Sequence, residues 1–168
     1  MPGARTFDCT ILVETAMRNQ HSSSFSSIAA AAGLASMLTW GTAQAIEVKD
    51  LKGFEALFGR YAPGGDCARQ PQIMVDAAGF TFDLAGARET ITNPEFAASY
   101  GGNFYQGITQ WFFPFRSAQG YPILLAFNDG EKPGVLSVSA HDEGWRGGPP
   151  LGPRNQALVK GSPYAKCS

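Results

Sequence analysis

The only histidine beyond residue 45 is His141, and two acids, Asp142 and Glu143, follow it directly. An imidazole beside carboxylates can hold a metal or pass a proton. Neighbours in sequence point different ways, however, so these three cannot make a site without donors from elsewhere in the fold. A Ser–His–acid hydrolase needs a nucleophile elbow, and the chain has no Gly-x-Ser-x-Gly. Gly101-Gly102 and Gly147-Gly148 lack the Lys-Ser/Thr pair of a phosphate loop. Asp76, Asp83, Asp129 and Glu131 fall mostly in turn-like stretches, where acids cap or are solvated. This reading assigns no catalytic residue, no metal ligand and no cofactor. His141 remains either a hydrogen-bonding residue at a strand end or the histidine of an acid-assisted enzyme.

Two other stretches carry side chains suited to recognition. The segment from His141 to Pro150 is rich in glycine and proline and holds Trp145 next to Arg146. Trp and Arg are favoured at binding hot spots, and long ordered loops often carry function. In one reading His141, Asp142, Trp145 and Arg146 face a partner. In the other Trp145 plugs one end of the fold and Arg146 pairs with a nearby acid. The second stretch is aromatic: Phe104, Tyr105, Trp111, Phe112, Phe113, Phe115 and Tyr121. Strand alternation sends Trp111, Phe113 and Phe115 to one face and Ile108, Gln110 and Phe112 to the other. Either one set fills the core and the other lies under a helix, or Trp111 and its neighbours line a surface or cavity for an apolar ligand or a sugar ring.

Cysteine usage and the N-terminus speak to compartment. Residues 17–45 read as a secretory signal. Met17-Arg18 gives a positive start, Ile28–Trp40 an apolar block too short for a comfortable membrane span, and Ala43-Gln44-Ala45 the small-x-small exit. Residues 1–16 read as an upstream extension of the start, and 46–168 as a single mature domain without a membrane span. Cys9 lies upstream, which leaves Cys67 and Cys167 as an even pair, most simply a disulfide made in an oxidising compartment. Closing a loop of that length is worth about 4–5 kcal/mol on the chain-entropy model. The whole chain carries 13 Lys+Arg against 14 Asp+Glu with no run of either sign, so capture of nucleic acid or anionic lipid has no electrostatic support.

The elements that must position these residues are mainly strands. Val48, Leu51, Phe54, Leu57 and Phe58 recur at helical spacing, so Ile46–Tyr61 reads as a short amphipathic helix capped by Asp50 and stopped by Gly59. Strand-like runs follow at Ile73–Asp76, Phe80–Leu84, Arg88–Thr92, Phe96–Tyr100, Ile108–Phe115, Ile123–Phe127 and Val135–Ser139, broken by glycine-rich turns. Ala77-Ala78-Gly79 and Gly101-Gly102-Asn103 are two such turns, and Pro114 marks a strand end, bulge or edge. Asn155–Lys160 reads as one or two helical turns between Pro153 and Gly161. The fold class is therefore mainly β: an antiparallel meander of about six strands forming a small barrel or curved sheet, with a short helix at each end.

Gly59-Arg60-Tyr61, Gly65-Asp66-Cys67, Val75-Asp76 and Gly79-Phe80 resemble a recurrent opening of small exported bacterial β proteins, alphaproteobacterial ones among them. The pattern is distantly similar to lipocalin-like barrels and periplasmic lysozyme-inhibitor domains. The resemblance spans about the first third of the mature chain and implies a fold start. The inhibitor families' reactive motifs have no match here, so no residue role is carried over. Together these readings point to a non-enzymatic periplasmic or secreted binding or inhibitor module, its partner an envelope protein or a small apolar or sugar ligand. The alternatives are a cell-envelope enzyme using His141 with an acid, and a structural or stress protein.

Overall fold

The computed structural model describes residues 45–97, 99–100, 103–104 and 106–167. Apart from Ala45, the signal segment lies outside the described residues, as do Gly101 and Gly102 of one expected turn. Ten antiparallel strands curl into a half-barrel sheet. In chain order they are β1 (Ile46–Glu47), β2 (Gly59–Pro63), β3 (Gln72–Asp76), β4 (Gly79–Leu84), β5 (Ala87–Ile91) and β6 (Glu95–Ala97), then β9 (Gln110–Phe113), β10 (Ile123–Phe127), β11 (Val135–Ala140) and β12 (Tyr164–Lys166). Between β6 and β9, β7 (Ser99–Tyr100) and β8 (Asn103–Phe104) pair with each other as a separate ribbon. The strand order is β1-β6-β9-β10-β11-β12-β2-β3-β4-β5, and the described residues include one α-helix, α1 (Pro153–Gly161).

The mainly β class holds; among the described residues the sheet has ten strands rather than about six, and there is one α-helix rather than two. The expected N-terminal helix is absent: Ile46–Tyr61 forms β1, one 3-10 turn at Glu55–Leu57 and the start of β2. Its apolar residues face the core as the spacing suggested, Leu51 and Leu57 buried in it and Val48, Phe54 and Phe58 partly buried against it. The backbone instead satisfies itself outward. Val48 N–H donates to Pro94 O and Leu51 N–H to Ala77 O, while Gly53 at φ 91° interrupts any helical run. A helix that short has little stability of its own, so sheet partners win. Gly59, expected to stop the helix, opens β2.

Pairing register separates two faces. Phe96, Phe112, Leu125 and Val138 stand in one row, and Tyr61, Ile73 and Phe82 in another. Both rows face the concave core, with Phe80, Ile123, Phe127, Leu136 and Tyr164. Phe112 is an aromatic hub, its ring 5.1–5.8 Å from those of Phe54, Phe80, Phe96 and Phe127. On the convex face Ala97, Phe113 and Leu124 form a second cluster with Trp111, Tyr121 and Ala45 around it. Alternation is right through Phe113 and fails after Pro114. Phe115 swings back to the inner core, 4.9 Å from Phe82, instead of sharing the face of Trp111 and Phe113. Phe112, Phe113 and Phe115 are therefore core, whereas Trp111 is half-buried and Ile108 is exposed, so the stretch is not wholly interior.

Helix α1 begins at Pro153, as a first-turn proline favours, and adds Leu158 to the core. Arg154 spans the open side, bonded to Glu89 on the edge strand β5 with its guanidinium 3.6 Å over the Phe115 ring. Cys67 and Cys167 are disulfide-bonded with Cα atoms 5.7 Å apart, inside the range such a bond requires. The bond secures the pairing of β12 with β2, where Cys167 N–H also donates to Arg60 O. It does not bracket every strand, because β1 and β2 precede Cys67.

Candidate functional site

The loop after β11 is built on an extension of the β10–β11 ladder. Beyond Ala140, His141 N–H donates to Pro122 O and Asp142 N–H to Tyr121 O. This fixes the backbone under both side chains. Asp142 Oδ2 accepts the Tyr121 N–H at 2.7 Å, and its Oδ1 lies 3.3 Å from His141 Nδ1. Gly120, at φ 125°, is what lets Asp142 come so close: a Cβ there would sit 2.2 Å from Oδ2. Glu143 is buried.

Trp145 is 57% exposed, which removes the reading in which it plugs the fold. It is nonetheless held: its indole N–H donates to Asp142 O at 3.1 Å, and its ring lies on the Gly148 backbone. A Cβ at Gly148 would come within 2.3 Å of the indole, so glycine is needed there for the ring to pack. Arg146 is exposed beside it and makes no ion pair among the described residues.

Sequence reasoning singled out Phe113 and Tyr121 only as members of the aromatic stretch, not as the base of this loop, and missed Glu95 and Arg116. The Phe113 ring lies 4.9 Å from His141 and stacks on Tyr121 at 4.3 Å. The Tyr121 hydroxyl donates to Glu95, whose other oxygen is 3.4 Å from Arg116. The hydrogen bond to the Glu95 carboxylate, with some burial, raises Tyr121 above the ordinary tyrosine range. A continuous chain of contacts thus runs Arg116–Glu95–Tyr121–Phe113–His141–Asp142–Trp145. Glu95 and Phe113 are cross-strand partners, a relation visible only once β6 is paired with β9. Trp111 shares the convex face two positions before Phe113 on β9, opposite Ala97 and Ala126, and packs on the same cluster.

Chemically, the arrangement offers aromatic surface, one imidazole, two guanidiniums (Arg116, held by Glu95, and Arg146), and the acids Glu95 and Asp142, both engaged with partners. The acid within reach of His141 is its own neighbour Asp142, and the described residues bring no three metal-binding side chains together. The site is a rigid polar–aromatic surface. Comparison of the chain with protein-family models, with curated proteins and with solved structures returns no match.

Proposed function

We propose that the chain is a non-enzymatic binding module of the periplasm or cell exterior that captures an envelope protein through Trp145 and Arg146. One observation carries this: Trp145 is mostly exposed yet immobilised by Asp142 O and the Gly148 backbone. An exposed indole with its rotamer already fixed loses little entropy on binding, which is what a hot spot needs. The Cys67–Cys167 bond, the signal-like segment 17–45 and the resemblance to exported inhibitor domains support the compartment.

The test is quantitative capture from an envelope extract on immobilised chain, with Trp145→Ala and Arg146→Ala beside the parent and thermal melting as the folding control. Trp145→Ala weakens capture about 30-fold and Arg146→Ala less, with melting unchanged in both. Equal capture by parent and both variants removes the proposal.

A further inference from the structure

Between the β2–β3 loop and the end of α1 lies a cleft of about 530 Å³, a volume within the range of small-ligand sites. Arg69 and Lys160 both line it, far apart in sequence and brought to one concavity by the fold. Neither has an acid partner among the described residues, whereas Lys52, Arg88, Arg116 and Arg154 each have one. Among the described residues no Asp or Glu lines the cleft. Asp66, the acid nearest Arg69 in sequence, accepts the Ala68 N–H at 3.0 Å. Two like charges therefore share one concave space without a counter-charge, which focuses a positive potential there.

The walls of the cleft are fixed. At Gly161, the last residue of α1, an added Cβ would lie 2.4 Å from Tyr164 Oη and 3.1 Å from Pro71 Cδ. The helix end thus meets the loop with no room for a side chain between them. On the loop, the Gln72 amide donates to Cys67 O and to Arg69 O, and the disulfide holds Cys67 to Cys167. Gly64 turns the chain at φ 65°, and a Cβ there would stand 3.9 Å from Arg69 Nη1, so the guanidinium lies beside bare backbone. Arg69 presents a planar fork of donors that matches a phosphate or carboxylate. Pro71 and Pro163 add ring surface to the lining and have no N–H to offer. Lys160 stands in the last turn of α1, whose negative end offsets part of its charge, so Arg69 contributes more.

We infer that this cleft binds a small organic dianion, a phosphate monoester or a dicarboxylate. Its charge lies between Arg69 and Lys160, and its apolar body on Pro71 and Pro163. Two cations suit a ligand of two charges, whereas a nucleic acid or an anionic membrane needs a wider basic surface. The cleft uses no residue of the Trp145 loop and does not depend on it.

The probes are phenyl phosphate and glutarate, each titrated by calorimetry into the full disulfide-bonded chain at low salt. The titrations are run at about pH 7.5, where a phosphate monoester carries close to two charges. Saturable binding of at least one probe is expected, and the one that binds tells a phosphate from a dicarboxylate ligand. The matching monoanion, benzenesulfonate or butyrate, binds about five-fold more weakly or worse. Arg69→Gln weakens binding about ten-fold, the equivalent of 1.4 kcal/mol, and Lys160→Gln about three-fold. Both variants melt as the parent does, because neither side chain has a bonded partner among the described residues to lose. The inference is overturned by no saturable binding of either probe up to about 10 mM, or by equal affinity for the monoanion. Unchanged affinity in Arg69→Gln or Lys160→Gln, or loss of binding in Trp145→Ala, overturns it as well.

Discussion

The two halves of the sheet share one concave core but have opposite convex faces. In β9 and β10 the convex face carries Trp111, Phe113, Leu124 and Ala126, and β10 is buried along its whole length. In β2 to β5 the same face carries Arg60, Met74, Thr81 and Thr90 in one row and Gln72, Asp83 and Arg88 in the next. There the side chains meet as Thr81–Thr90 hydroxyls at 2.9 Å and Arg88–Asp83 at 2.8 Å. One half is therefore a one-sided sheet that water wets, with charged residues along its edge strand β5 as protection against edge pairing. The other half is covered on both sides. The Trp145 loop grows from the covered half, where close packing on both faces leaves the strands least freedom to move and so gives a loop a fixed base.

The largest effect that would break this contrast comes from placing one charge on each face. Leu124 is 7% exposed and Met74 is 39% exposed. Leu124→Asp buries an unpaired carboxylate and costs several kcal/mol, enough to leave the chain partly unfolded. Met74→Asp stays within about 0.5 kcal/mol of the parent. Urea unfolding of the two variants checks this, and similar losses in both would mean that the two faces are not different environments.

The polar half was the more legible in sequence. Phe80, Phe82 and Leu84 alternate with Thr81 and Asp83, and Ala77-Ala78-Gly79 marks the turn, so β3 and β4 could be read with their faces. Gly79 is required there: at φ 144°, a Cβ would meet Ile91 O at 2.0 Å. The covered half hides its faces, because Ile123–Phe127 is apolar at every position and has no period to read. Pro114 was legible as a strand end, but not the turn of Phe115 back to the inner core. Helical spacing at Val48–Phe58 found the right core-facing residues and the wrong backbone. Spacing reports which side chains face the core, whereas the hydrogen bonds that Val48 and Leu51 make to Pro94 and Ala77 depend on distant pairing. At the candidate site Trp145, Arg146, His141 and Asp142 were legible as residue types. Glu95 and Arg116 were not, and Tyr121 was legible only as part of the aromatic stretch, since cross-strand register brings them together.

A smaller effect sharpens the contrast at the junction between the covered half and its loop. Tyr121→Phe keeps the stacking on Phe113 and removes the hydrogen bond to Glu95, at a cost of about 1 kcal/mol near neutral pH. Because the folded-state value of Tyr121 is raised, its contribution is present below the ordinary tyrosine range, about 10. It is lost as pH rises beyond that range. Urea midpoints at pH 8 and about pH 11 therefore converge for parent and variant. A constant gap across that range would place the cost in packing.

The smallest effect belongs to the wetted half and has the opposite pH dependence. The Arg88 guanidinium bonded to Asp83, with the Gly86 N–H as a second donor, holds the Asp83 carboxyl below its usual range. A lowered folded-state value means that the contribution is complete above the unfolded carboxylate range, about 3.9. It is lost as pH falls through that range toward the folded value. Asp83→Asn keeps an oxygen that can accept the Gly86 N–H and loses the charge facing Arg88. It lowers the unfolding midpoint slightly at pH 7, and the gap to the parent closes at about pH 2–3. Added salt narrows the gap at pH 7, because the pair is open to solvent. If the gap instead persists in acid, the stabilisation lies in the turn geometry that Asp83 caps. The wetted face would then owe its stability to hydrogen bonds and not to charge, bringing it closer in kind to the Glu95–Tyr121 contact of the covered half.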